Sequence, residues 1–84
     1  MKTSVEISYY PLNENYKKPI KGFITRLNNY KSLVVKTSGM STQIFGEYDD
    51  VMRALTTEIK ASFEVPHSVF VMKVINADLQ QIPE

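Results

Sequence analysis

Hydrophobic spacing along this chain switches from period two to period 3.6 and back, twice, and that order restricts the fold more than any other feature. Ser4 to Tyr10 sets Val5, Ile7 and Tyr9 against Ser4, Glu6, Ser8 and Tyr10, as a strand with one buried face does, and Pro11 stops it. After the turn-rich Asn13-Glu14-Asn15, Pro19 stands where a first helical residue is expected. Ile20, Phe23, Ile24 and Leu27 then lie on one helical stripe, which Asn28-Asn29 ends. Ser32 to Ser38 is β-branched and apolar, and Thr42 to Tyr48 alternates again. Ser38-Gly39-Met40-Ser41 supplies the reversal of a hairpin between them.

Asp49 is the expected N-cap of a second helix, in which Val51, Met52, Leu55, Ile59 and Phe63 form the apolar side and Pro66 is the stop. Ser68 to Ile75 is the last strand. Strand, helix, strand, strand, helix, strand is the ferredoxin-like βαββαβ order. This predicts an α+β fold with a four-stranded antiparallel sheet, its first and third strands central, and two helices on one face. With 84 residues there is room for one domain, 1–84, whose polar tail from 76 to 84, with Pro83 in it, is expected to be loosely held.

With both helices on one side, each strand gives alternate residues to an open face. The parity leaves Glu6, Ser8 and Tyr10 outside on the first strand and Gln43, Phe45 and Glu47 outside on the third. Gly46 is turned inward, where a missing side chain permits close backbone approach. If the hairpin has a two-residue Gly39-Met40 turn, Thr37 pairs with Thr42 and Val34 and Lys36 join the open face, whereas a longer loop reverses that strand. On the last strand Phe70, Met72 and Val74 are expected inside and Val69, Val71 and Lys73 outside. An apolar patch holding a few polar groups suits an association surface or a small-ligand pocket.

Two stretches carry a resemblance. Val5-Glu6-Ile7-Ser8-Tyr9-Tyr10-Pro11-Leu12 and the run from Gly39 through Gln43-Ile44-Phe45-Gly46-Glu47-Tyr48-Asp49-Asp50 to Met52 are similar to the signature segments of the YkoF-related thiamine-binding family. The likeness extends over nearly the whole chain. It departs at Gly39 and Ser41, where a proline and a glycine are common, so a different loop shape is expected there. It implies a non-catalytic protein that binds thiamine or its hydroxymethylpyrimidine half and pairs with itself, as a dimer or tetramer, through the sheet face.

By chemistry, an aminopyrimidine needs an acceptor for its exocyclic amine, a partner for the adjacent ring nitrogen, and apolar surface against the ring. Glu6 suits the polar edge, Ser8, Thr42 and Gln43 are short or amide partners, and Tyr10, Met40 and Phe45 are candidates for the ring contacts. Thr42 also reads as a hairpin residue facing its cross-strand pair, Met40 as turn or interface filler, and Glu6 and Gln43 as the rim of a dimer.

Other functions fit less well. A net charge of +1 lacks the basic excess of a phosphate-backbone binder, and Thr42-Gln43-Ile44-Phe45-Gly46 lacks the paired aromatics of an RNA-recognition strand. No nucleophile and base share a spacing with His67, the single histidine, and Arg26 and Arg53 fall in helices rather than in an anion loop, so no enzyme is expected. Glu47, Asp49 and Asp50 read as a strand end and helix cap before they read as a metal cluster. No cofactor is expected beyond thiamine as ligand. The absence of cysteine, of a signal peptide and of a membrane-spanning run leads to a soluble, cytoplasmic expectation.

Overall fold

The computed structural model describes residues 1–81. Its elements are β1 (Lys2–Pro11), α1 (Lys17–Asn28), β2 (Val34–Thr37), β3 (Thr42–Glu47), α2 (Tyr48–Ser62) and β4 (Ser68–Ile75), followed by a short 3-10 turn, Leu79–Gln81. The strands form one antiparallel sheet in the order β2-β3-β1-β4, so the fold is ferredoxin-like. Thr37 lies opposite Thr42 and Lys36 opposite Gln43, and Ser38 N–H donates to Ser41 O across the turn at 2.9 Å. The two-residue hairpin turn is therefore present, and it fixes which face Val34 and Lys36 occupy.

Helix ends differ from the sequence expectation by a residue or two. Pro19 is the third helical residue of α1, a position whose N–H is unpaired within the helix in any case. Glu47, not Asp49, is the N-cap of α2, and Asp49 and Asp50 occupy its first turn, where the helix dipole favours negative charge. β2 begins at Val34 rather than Ser32, because the Tyr30 to Leu33 turn consumes the start of the apolar run.

Val5, Ile7 and Tyr9 of β1 meet Ile44 of β3, Phe23 and Leu27 of α1, and Val51, Ala54 and Leu55 of α2 in one core. Tyr9 stacks on Phe70 at 4.2 Å between ring centroids and meets Phe23 edge-on at 5.6 Å, while its hydroxyl pairs with Ser68 Oγ at 2.8 Å. Phe63, expected on the apolar side of α2, is the C-cap instead and is largely exposed, its ring centroid 5.9 Å from that of Phe70.

Gly46 is needed for this packing. A methyl group there would lie 2.9 Å from Leu33 Cδ2 and 3.3 Å from Ser32 O, beneath the loop that crosses β3. Gly46→Ala is therefore expected to cost about 1–3 kcal/mol, the usual penalty of overpacking, read as a lower midpoint in urea with unchanged slope. An unchanged midpoint would show that the Ser32–Leu33 loop yields freely.

The helices are joined by a partly buried polar cluster absent from the sequence reading. Arg26 Nε donates to Glu58 Oε1 at 2.6 Å and its Nη2 to Ser62 Oγ at 2.8 Å, while Tyr30 Oη donates to Glu58 Oε2 at 2.7 Å. The hydrogen bond to Glu58, with burial and the carboxylate's charge adding to it, holds the Tyr30 phenol above its ordinary range.

Candidate functional site

The face opposite the helices is laid out by strand register in rows. Lys36, Gln43, Glu6 and Lys73 form one row across β2, β3, β1 and β4, and Val34, Phe45, Ser4 and Ile75 form the next. Between these rows lies a recess of about 510 Å³ lined by Glu6, Gln43, Phe45, Lys73, Ile75 and Leu79 among others. Ser41 Oγ donates to Glu6 Oε2 at 2.9 Å, and Lys73 Nζ lies 3.5 Å from Glu6 Oε1. Both carboxylate oxygens are thus oriented, yet each keeps a lone-pair direction free, since a carboxylate offers about four acceptor sites.

Phe45 forms the floor rather than a free stacking platform. It is only 8% exposed, and Lys36 Nζ sits 5.9 Å from its ring centroid. Another side of the recess comes from a segment expected to be a loose tail. The part of that tail from Asn76 to Gln81 instead returns over β1, where Ser4 Oγ donates to Ala77 O at 2.7 Å and accepts from Leu79 N–H at 3.0 Å. Leu79 thereby becomes a wall of the recess, and Ser4 is buried beneath it. The end of the expected tail, 82–84 with Pro83, lies outside the described residues.

The other expected contacts are elsewhere. Ser8, Tyr10, Met40 and Thr42 line a second cavity of about 440 Å³ between the end of β1, the hairpin tip and the start of α1, together with Leu12, Tyr16, Ile20 and Phe23. Thr42 is buried on the helix side opposite Ile7, and its hydroxyl meets Thr37 Oγ1 at 3.3 Å, so it is the cross-strand hairpin residue and does not belong to the open face. Tyr10 and Met40 are exposed and do not line the Glu6 recess, so the expected ring contacts of that site are not supplied by them. The seven candidate residues therefore divide into Glu6, Gln43 and Phe45 at one place and Ser8, Tyr10, Met40 and Thr42 at another.

Two of the acidic residues at the start of α2, Glu47 and Asp50, are engaged in structural contacts. Glu47 Oε2 accepts from the Met1 amine at 3.0 Å, which holds its carboxyl below the ordinary range, and Asp50 Oδ1 pairs with Arg53 Nη1 at 3.2 Å. No group of three potential metal ligands occurs among the described residues. No helix there is long and apolar enough to cross a membrane.

The chain is thus a ferredoxin-like α+β domain with an acid-edged recess on its uncovered sheet face. No family model and no curated protein matches it. Solved structures do. A Streptococcus pneumoniae protein is 20% identical, with a TM-score of 0.87 over 98% of this chain and 93% of its own. A Thermotoga maritima protein provisionally assigned to thiamine biosynthesis or salvage is 15% identical, with a TM-score of 0.82 over 92% of this chain and 85% of its own. A Bacillus cereus domain of unknown function, DUF77, is 12% identical, with a TM-score of 0.78 over 93% of this chain and 78% of its own. At these identities the likeness is one of fold.

Proposed function

We propose that this chain is a non-catalytic binding protein for thiamine or its hydroxymethylpyrimidine half, taken up in the open-face recess. The observation that carries the reading is the Glu6 carboxylate, fixed by Ser41 and Lys73 beside the Gln43 amide and above the Phe45 floor. A carboxylate and an amide side by side match the amine and ring nitrogen of an aminopyrimidine edge, while Phe45, Ile75 and Leu79 offer apolar surface to its ring. The sequence resemblance and the assignment of the Thermotoga relative support the same ligand class. No catalytic step or added cofactor is part of this reading, and a cytoplasmic location is.

Thermal unfolding with each candidate ligand tests it. A ligand at 100 times its dissociation constant adds about 2.7 kcal/mol, enough for a clear rise in midpoint for a chain of this size. No rise with thiamine or hydroxymethylpyrimidine at millimolar concentration would refute the assignment.

Phosphate should weaken binding. Lys73 is the cation lining the recess and is already held by Glu6, and α2 opens with Asp49 and Asp50. A pyrophosphate needs several charge-assisted contacts to offset its desolvation. Thiamine and the free pyrimidine are therefore expected to compete better than thiamine pyrophosphate for one site, measured without magnesium. The reverse order would place the site elsewhere.

A second reading, a structural or regulatory homo-oligomer without a small ligand, is favoured by Tyr10, Val34, Val69 and Val71, all exposed on the open face. Self-association through that face, as a dimer or tetramer, is compatible with both readings.

A further inference from the structure

Arg26 is held on one side and free on the other. Its Nε and Nη2 donate to Glu58 and Ser62 of α2, whereas Nη1 makes no hydrogen bond among the described residues. That nitrogen lies against Gly22, one helical turn back, where a Cβ would stand only 3.3 Å from it. Glycine inside a helix is costly relative to alanine, and Gly22 has no positive φ that would call for it. What it permits is the close approach of the guanidinium to the helix.

Arg26 and Gly22 line a cavity of about 450 Å³ with Lys18 of α1, Asn13 and Asn15 of the loop before it, and Val65. Lys18, Gly22 and Arg26 are spaced four apart, so they share one stripe of the helix. On the loop side Asn13 Oδ1 accepts from Asn15 N–H at 2.9 Å, which leaves the Asn13 amide nitrogen as a donor. Among the described residues no carboxylate lines the cavity, and α1 has three lysines and Arg26 without an acidic residue. Glu58 compensates Arg26 from behind, so Lys18 supplies the net charge.

We infer that this cavity binds the phosphate group of a small phosphate monoester. A guanidinium nitrogen and an ammonium on the helix wall, with amide donors on the loop wall, suit an oxyanion that presents several oxygens in different directions. A flat carboxylate would meet one wall only. Arg26 is oriented by Glu58 and Ser62 before any ligand arrives, so little side-chain freedom is lost on binding. The cavity is larger than a bare phosphate ion requires, and Val65 offers apolar surface to the carbon of an ester. The inference is independent of the thiamine reading, because this cavity shares no lining residue with the open-face recess.

Amide chemical-shift titration of the labelled full chain with inorganic phosphate and with glycerol phosphate, at an ionic strength held constant with chloride, tests it. Saturable shifts are expected at Asn13, Asn15, Lys18, Gly22 and Arg26, with the ester binding more tightly than the free ion. Lys18→Gln is expected to weaken binding about threefold or more, as the loss of one exposed charge does. Gly22→Ala should weaken it as well, by crowding Nη1. Shifts that rise without saturation would show an adventitious ion only and overturn the inference. Saturable shifts with the same affinity in Lys18→Gln would also overturn it, and tighter binding of the free ion would overturn the ester assignment. Lys18 is exposed, so that variant decides the matter even if Gly22→Ala fails to fold.

Discussion

Glu6→Gln is expected to lose about tenfold or more in affinity for hydroxymethylpyrimidine while keeping the wild-type fold. A hydrogen bond to a charged acceptor contributes about 1.5–3 kcal/mol, and each 1.4 kcal/mol is tenfold in affinity. The Glu6 side chain is 41% exposed, which places the expected loss at the lower end. Folding should tolerate the change because an amide oxygen still accepts from Ser41, and the pair lost with Lys73, whose side chain is 85% exposed, contributes under about 1 kcal/mol. Calorimetry checks this. Equal affinity in the variant would make Glu6 a rim residue and remove the polar edge on which the ligand reading depends.

Glu58→Ala is expected to destabilise the fold by about 3 kcal/mol. Removing one partner of a buried pair costs about 3–5 kcal/mol because the other charge is left without compensation, and Arg26, at 38% side-chain exposure, recovers part of that from water. Tyr30 also loses its acceptor. Urea unfolding should show the loss, and a change below about 1 kcal/mol would mean that the cluster is decorative. The pH dependence has a definite sign. Tyr30 has a folded-state pKa above its ordinary 10.0, so its stabilisation is complete below about pH 10 and is lost as pH rises through the raised value. Glu58→Gln should move that loss to lower pH.

The fold was legible because each element carries its own period and the hairpin turn sets the register. Ser68–Ile75 is the observed last strand, and the alternation that puts Gln43 and Phe45 outside holds in the structure. The same alternation puts Thr42 inside, where its hydroxyl meets Thr37 rather than the recess. Strand period puts Met72 and Val74 on the helix side, where they lie, but says nothing of how far a helix reaches across an edge. The docking of Asn76 to Gln81 was hidden by polarity, although Asp78, whose Oδ1 accepts from Gln80 N–H at 3.1 Å, is a local signal for a turn start. Glu58 had a clearer signal. It falls on the buried stripe of Val51, Ala54, Leu55 and Ser62, and a carboxylate there requires a cationic or hydroxyl partner from the facing helix.

The separation of the seven candidate residues into two cavities gives the central claim a spatial test. Amide chemical-shift mapping of the isotopically labelled chain, titrated with hydroxymethylpyrimidine, reads the location directly. The account predicts saturable shifts concentrated at Glu6, Gln43, Phe45, Lys73 and Leu79, which line the open-face recess. Shifts concentrated instead at Leu12, Tyr16, Ile20 and Met40, around the cavity beside α1, or no saturable shifts at all, would contradict it.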